Sequence, residues 1–205
     1  MLEDFMKRAG WMTKLLVGIS VLVSIITLSG TNREITSLFT FNWELIQEGQ
    51  LHRLVTPIFL HFMIGSLPIH LIFNMMWLWD LGGSIEKDRG PWYLLTLVLI
   101  IGIASNMAQY FAEYWMEGYV SSRYIFGGMS GVVYGLLGFI FMRRKFDPFY
   151  RVPLHPGIMQ FMLIWLVLGF VLNSTGMIGI ANAAHLIGLV AGGALGIITA
   201  KTKAF

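Results

Sequence analysis

The sequence predicts an all-α polytopic membrane protein: a six-transmembrane-helix bundle with a long, partly membrane-embedded first outer loop. Three observations carry that expectation. The 205-residue chain is 56% hydrophobic and only 12% charged, with a mean hydropathy of +0.70, whereas a soluble domain carries about 25% charged residues. Several long stretches contain no Asp, Glu, Lys or Arg, and the cations that separate them fall unevenly on alternate sides.

The charge-free stretches run 15–32, 54–79, 90–112, 124–142 and 152–200. A helical span needs about 20 mostly apolar residues. The last stretch has 49 residues, room for two spans, and Asn173-Ser174-Thr175-Gly176 interrupts it where a turn falls. The expected spans are therefore 14–30, 67–85, 91–112, 129–143, 157–173 and 182–200. Lys7, Arg8 and Lys14 ahead of an apolar run, with Ser29-Gly30 after it, also fit a secretory signal. The apolar core there is 18 residues, longer than the roughly 7–15 of a signal, so a retained first helix is expected. No Pro/Ser-rich or low-complexity stretch divides the chain, and residues 1–205 read as a single membrane domain.

Lys and Arg counts on alternate sides of the six spans orient the bundle. One side holds Lys7, Arg8, Lys14, Lys87, Arg89, Arg143, Arg144, Lys145, Arg151, Lys201 and Lys203, and the other only Arg33, Arg53 and Arg123. Both termini are expected in the cytoplasm, in a multi-pass protein of the cell's inner (plasma) membrane. The outer connection 31–66 is long for a helix bundle. It carries Phe39, Phe41, Trp43, Leu45, Ile46, Leu54, Val55, Ile58, Phe59 and Leu60 among polar residues, which suits either a segment partly submerged at the interface or a packed loop. The net charge of +3 is too small and dispersed for nucleic-acid binding. Without cysteine there is no disulfide, zinc-thiolate site or thiol nucleophile.

Spans two, four and six run from outside to inside under this topology. His70 and Asn74, four apart on one face, follow the outer end of span two. Ser130 and Tyr134 lie in the first turns of span four, and His185 at the start of span six. At 1.5 Å per residue all five fall within roughly 10 Å of the outer helix ends. A transmembrane serine or asparagine ordinarily serves packing, but ionisable residues in spans mark function by default, and the shared depth ties the set together. Gly131, Gly135 and Gly138 on span four, and Ala184, Gly188, Gly192 and Gly196 on span six, are small faces that let two helix backbones approach. Ser130 and His185 can then reach hydrogen-bond distance.

These residues resemble the rhomboid intramembrane serine proteases, specifically the compact six-helix bacterial form. The resemblance rests on Gly128-Met129-Ser130-Gly131 with Tyr134, on Ala184-His185 followed by Gly188 and Gly192, and on His70 with Asn74. Leu81-Gly82-Gly83 with Glu86, and His52-Arg53 in the outer loop, add to it. It covers roughly residues 50–200. It implies an intramembrane serine endopeptidase that cleaves transmembrane segments of other membrane proteins near their outer end, after a small residue and without a cofactor or metal. Ser130 would be the nucleophile and His185 the general base and acid, with Tyr134 stacked on His185 and Gly128 in support. His70 and Asn74 would stabilise the oxyanion, joined by the Ser130 backbone N–H, which as a first-turn amide has no intrahelical partner. The resemblance also implies that span five and the loop 174–181 move to admit substrate, with Phe161, Trp165 and Phe170 facing that gate or the lipid.

Departures are His52, where the family often has tryptophan, and Ile187, where a small residue is common. Asp80 near the inner end of span two has Arg89 and Arg143 as candidate partners. The soluble-hydrolase pattern G-x-S-x-G is not met, because position 132 is Val132. A non-catalytic relative that binds transmembrane clients is the alternative reading. A channel would carry polar residues through the inner leaflet as well, and a metal site from His61, His70 and His185 lacks nearby carboxylates. His61 and His155 read as loop residues, structural or solvated.

Overall fold

A computed structural model describes residues 9–118, 125–174 and 179–202. Lys7, Arg8, Arg123 and Lys203 of the charge count, and Thr175-Gly176 of the expected turn, lie outside the described residues. The chain is all-helical: α1 (Trp11–Ile26), α2 (Arg33–Ser37), α3 (Trp43–Gln47), α4 (Ile69–Trp77), α5 (Gly83–Arg89), α6 (Pro91–Glu117), α7 (Ser130–Phe146), α8 (Pro156–Ser174) and α9 (Asn182–Thr202). The expected second span is α4 and α5 joined by a five-residue π-helical stretch, Leu78–Gly82. The looser turn buries Leu78, Leu81 and Gly82, a local widening that periodicity does not reveal. Gly90, at φ +91°, and Pro91 at the first position of α6 make the sharp corner that follows. The third span continues five residues beyond its expected end, to Glu117.

Three helical stretches, Pro91–Glu117, Pro156–Asn173 and Asn182–Thr202, are long and apolar enough on their own to cross a bilayer. The helix α7 has 17 residues, about 26 Å, and it is the centre of the bundle: Gly131 through Ile140 are all buried. A helix surrounded by protein needs neither a full lipid-length span nor a polar face.

The packing of α7 against α9 is direct backbone contact. A Cβ on Gly188 would strike the Gly131 carbonyl, one on Gly192 the Gly135 carbonyl, and one on Gly196 the Phe139 carbonyl. The sequence offset between these partners is constant, so the two helices run parallel. One end of the bundle therefore gathers Ser130 and His185, and the opposite end gathers the basic last turns of both helices.

That opposite end is closed by two buried charges. Glu86 is 5% exposed, and its carboxylate accepts from the Met12 and Thr13 amides at 2.9 Å each and from the Thr13 hydroxyl at 2.6 Å. It caps α1 from a distant part of the chain, satisfying amides that have no intrahelical acceptor and placing negative charge at the positive helix end. Gly10 leaves room for it, since a Cβ there would overlap the carboxylate. Arg143 is 2% exposed. Its guanidinium lies 4.8 Å from the Tyr150 ring, donates to the Tyr93 hydroxyl at 3.1 Å, and is 3.9 Å from the Asp147 carboxylate. Arg89 pairs with Asp88.

The long outer connection is a folded unit. Asn32 and Asn42 cap α2 and α3 through their side chains, and Arg53 donates to the carbonyls of Ser37 and Thr40 and to the Gln50 side chain. Phe41 and Ile46 pack with Tyr110 and Phe126 in a second apolar cluster, while Leu38, Leu51 and Leu67 stay exposed. The packed-loop reading is thus supported for its inner face, and its apolar outer side suits an interfacial position.

Two stability measurements test these contacts. Replacing Glu86 by Ala strands three donors and is expected to cost about 2–4 kcal/mol in thermal unfolding of the detergent-solubilised protein, with Glu86→Gln losing roughly half of that; an unchanged Tm would remove the cap from the account. Gly192→Ala is expected to destabilise by about 1–3 kcal/mol, because overpacking against a carbonyl outweighs the ~1 kcal/mol of helix propensity that alanine gains. Ala194→Val on the exposed side of the same helix should stay within about 0.5 kcal/mol.

Candidate active site

The chain enters α7 through Gly127, Gly128 and Met129, and the outer loop dictates that path. The Gly128 amide donates to the Pro57 carbonyl at 2.9 Å, and a Cβ on Gly127 would lie 2.6 Å from that same oxygen. Gly128 has φ +129°, open to glycine but strained for other residues. A Cβ at this position would be 2.7 Å from His70 Nε2 and 3.6 Å from Ser130 Oγ. The missing side chain leaves a small space bounded by the imidazole, the hydroxyl and the first turn of α7.

Across that turn the His185 Nε2 stands 2.7 Å from Ser130 Oγ. The residues are 55 apart in sequence and meet only because α7 and α9 touch. His185 is 8% exposed. Its ring lies 4.9 Å from that of Tyr134, at 30° between planes, and the Tyr134 hydroxyl donates to the Met162 carbonyl of α8 at 2.9 Å. An imidazole in hydrogen-bond contact with a hydroxyl, and held by packing on its other side, is equipped to take that proton.

His70 points its Nδ1 at the Phe62 amide, accepting at 3.3 Å. A neutral imidazole that accepts at Nδ1 carries its proton on Nε2, the atom facing Gly128. Asn74 is 5% exposed, and its amide nitrogen donates to the His70 carbonyl at 2.8 Å. One N–H of Asn74 thus turns back on its own helix. Among the described residues Asn74 makes no hydrogen bond to Ser130 or His185. The structure therefore brings Ser130, His185, Tyr134, His70 and Gly128 together, with Asn74 one turn below His70.

Several neighbours escaped the sequence reading. His61, read as structural or solvated, is structural: it is 1% exposed, its Nδ1 is 3.1 Å from the Phe59 carbonyl, and its Nε2 accepts from the Met129 amide at 3.4 Å. It holds the residue just before Ser130 and lies 5.1 Å, ring to ring, from His70. Gln109 accepts from the Ala184 amide at 3.2 Å, capping the start of α9, and Asn106 donates to the Leu54 carbonyl at 2.8 Å. Ser105 is buried beside Gly131 and its hydroxyl has no partner among the described residues. It lines a cavity of about 10 Å³ with Ser130, Gly128, Gly131 and Ala184, about the room one water needs. The signal for these residues was the polar run Ser105, Asn106 and Gln109 in the outer half of the third span. His155 is exposed and caps the Gly157 amide. Among the described residues, no three His, Asp or Glu side chains gather as a metal site.

Burial, with His70 nearby, pushes the His61 imidazole down from its ordinary value to about 3. The folded protein then binds fewer protons than the unfolded chain between about pH 3 and 6.5, so the contribution of neutral His61 is complete above that window and lost as pH falls through it. Thermal stability should decline below pH 6.5 by up to about 1.4 kcal/mol per pH unit for this one group, and His61→Gln should flatten that slope. An unaltered slope in the variant would assign the acid sensitivity elsewhere.

Comparison with known proteins agrees with this architecture. The rhomboid domain model matches residues 48–202. The chain is 34% identical over 191 residues to the rhomboid protease GlpG of Pectobacterium atrosepticum, covering 93% of this chain and 63% of the relative. It is 32% identical, with the same coverage, to the proteins of that name in Yersinia pseudotuberculosis and Yersinia pestis. The chain thus spans 63% of the length of these curated relatives. With the domain matched over most of its length and the parallel glycine-faced helices in place, this integral multi-pass membrane protein belongs to the rhomboid family.

Proposed function

We propose that the protein is an intramembrane serine endopeptidase acting on transmembrane segments of other membrane proteins. The observation that carries the reading is the 2.7 Å contact between Ser130 Oγ and His185 Nε2, made between two helices inside an apolar bundle. In this mechanism His185 takes the Ser130 proton as the oxygen attacks a peptide carbonyl, and later delivers it to the leaving amine. The negative oxygen that forms lies over the N-terminus of α7, where the Ser130 amide can donate and the helix end favours negative charge. The His70 Nε2–H beside Gly128, and the amide group of Asn74 one turn below it, supply further donors. Tyr134 supports the imidazole from the opposite face.

The pair works as a dyad and without a cofactor, since the reaction needs only a base, a nucleophile and water. The single-water cavity against Ser130 supplies room for the last of these. We read residues 1–205 as one six-span domain with both termini cytoplasmic in the inner membrane, the site facing outward, and the outer loop seated at the interface. Substrate would approach beside α8, whose exposed Phe161, Trp165 and Phe170 face outward from the bundle.

A fluorophosphonate label on the detergent-solubilised protein tests the reading. Labelling should vanish in Ser130→Ala and fall by roughly 10²-fold or more in His185→Ala, with cleavage of a single-span reporter lost in parallel. Undiminished labelling of Ser130→Ala would refute the nucleophile. A wild-type protein that binds the reporter but neither labels nor cleaves would make it a non-catalytic binder of transmembrane clients.

A further inference from the structure

We propose that the ends of α7 and α9 opposite the active site form a binding site for an anionic phospholipid, with Lys145 and Lys201 holding its phosphodiester. Because the two helices are parallel, their basic last turns finish side by side. Lys145 Nζ lies 6.0 Å and Lys201 Nζ 5.7 Å from the same ring, that of Phe146. Both lysines are exposed, and the ring is 42% exposed. At about 6 Å the ring contact is at the outer limit of cation–π range, so neither ammonium is consumed by it. Among the described residues no carboxylate pairs with either lysine or with Arg144; the neighbouring Asp147 faces Arg143 and accepts from the Phe149 amide. Two like charges are therefore held within about 12 Å of each other, with no carboxylate of the described residues paired to either.

The surface next to them selects what that anion is. One turn below Lys145 stands exposed Phe141, and below Lys201 come exposed Ile198 and Val190, each pair sharing a helix face at helical spacing. A free phosphate or an acidic protein would use the cations and leave these apolar helix faces idle. A phospholipid uses both, its phosphate on the ammonium groups and an acyl chain along one of these faces, at the depth where Lys side chains reach the headgroups. The site is independent of whether Ser130 is catalytic.

The test uses the full chain in neutral detergent, titrated with short-chain phosphatidylglycerol and with phosphatidylcholine of the same chains, and read by native mass spectrometry. Phosphatidylglycerol should be retained preferentially, and Lys145→Gln/Lys201→Gln should weaken it by roughly 25-fold, at about fivefold per lysine. The matched control Lys14→Gln/Lys87→Gln, which removes two exposed cations from other helix ends, should retain it, and Lys145→Arg/Lys201→Arg should retain it too, keeping the comparison decisive if the glutamine variant misfolds. Equal weakening in the control would reduce the effect to net charge and overturn the site. Equal retention of the two lipids would overturn it as well, and so would displacement of phosphatidylglycerol by inorganic phosphate at the same concentration.

Discussion

The contact on which the rest depends is the one between two backbones, where the glycines of α9 lie against the carbonyls of α7. Gly188, Gly192 and Gly196 each meet a carbonyl oxygen of the facing helix where any side chain would stand. In an apolar medium no hydrophobic force draws helices together, so close van der Waals packing and small residues must do so. The same contact sets the register. It runs without a slip from Gly131 to Phe139, so the first turns of both helices arrive level, and Ser130 meets His185. Shifting α9 by one turn would move the imidazole about 5.4 Å along the axis and leave the hydroxyl alone.

A second constraint explains why so many polar side chains surround that pair. Loops and helix starts expose backbone amides and carbonyls that lipid cannot satisfy, and here several of them are met by side chains from other parts of the chain. His61 serves the Met129 amide, Gln109 the Ala184 amide and Asn106 the Leu54 carbonyl. Glu86 does the same for α1 at the far end. Each of these bonds joins segments distant in sequence, so satisfying the backbone also fixes the geometry of the cleft. Structural and chemical roles coincide at His70, which receives the Phe62 amide on one nitrogen and turns the other toward Gly128.

The parts of this arrangement that were legible in the sequence are the periodic ones. Charge-free stretches marked the helices, the four-residue glycine spacing marked the face of α9, and equal depth along three spans marked Ser130, His185, His70 and Asn74. What escaped has no period. The π-helical stretch at Leu78–Gly82 shifts the buried face by a local widening that leaves no mark in the spacing. His61 lies in an aperiodic loop, and nothing local distinguishes a buried loop histidine from a solvated one. Ser105 and Gln109 stand as polar residues of the third span, but that span runs opposite to spans two, four and six, so their place at the outer end follows only from counting back from its C-terminus. The partners of Glu86 are more than seventy residues away, beyond any pattern of spacing.

The bundle is also unequal in how firmly its helices are held. The apolar window of α8 is 17% buried, against 50% for α6 and 39% for α9. Since packing supplies most of the stability of a helix in a bundle, α8 is, of these three helices, the one that moves at least cost. Two of its polar ties reach the site: the Tyr134 hydroxyl bonds the Met162 carbonyl, and the Asn182 side chain bonds the Gly169 carbonyl. Tyr134 stacks on His185, and Asn182 begins the helix that carries it. On the proposed reading, a transmembrane substrate displacing α8 would strain both ties at once, and both lead to the imidazole. The rigid pair α7 and α9 would keep Ser130 and His185 in register while the loosely packed α8 yields, which separates the demand for precise chemistry from the demand for an opening.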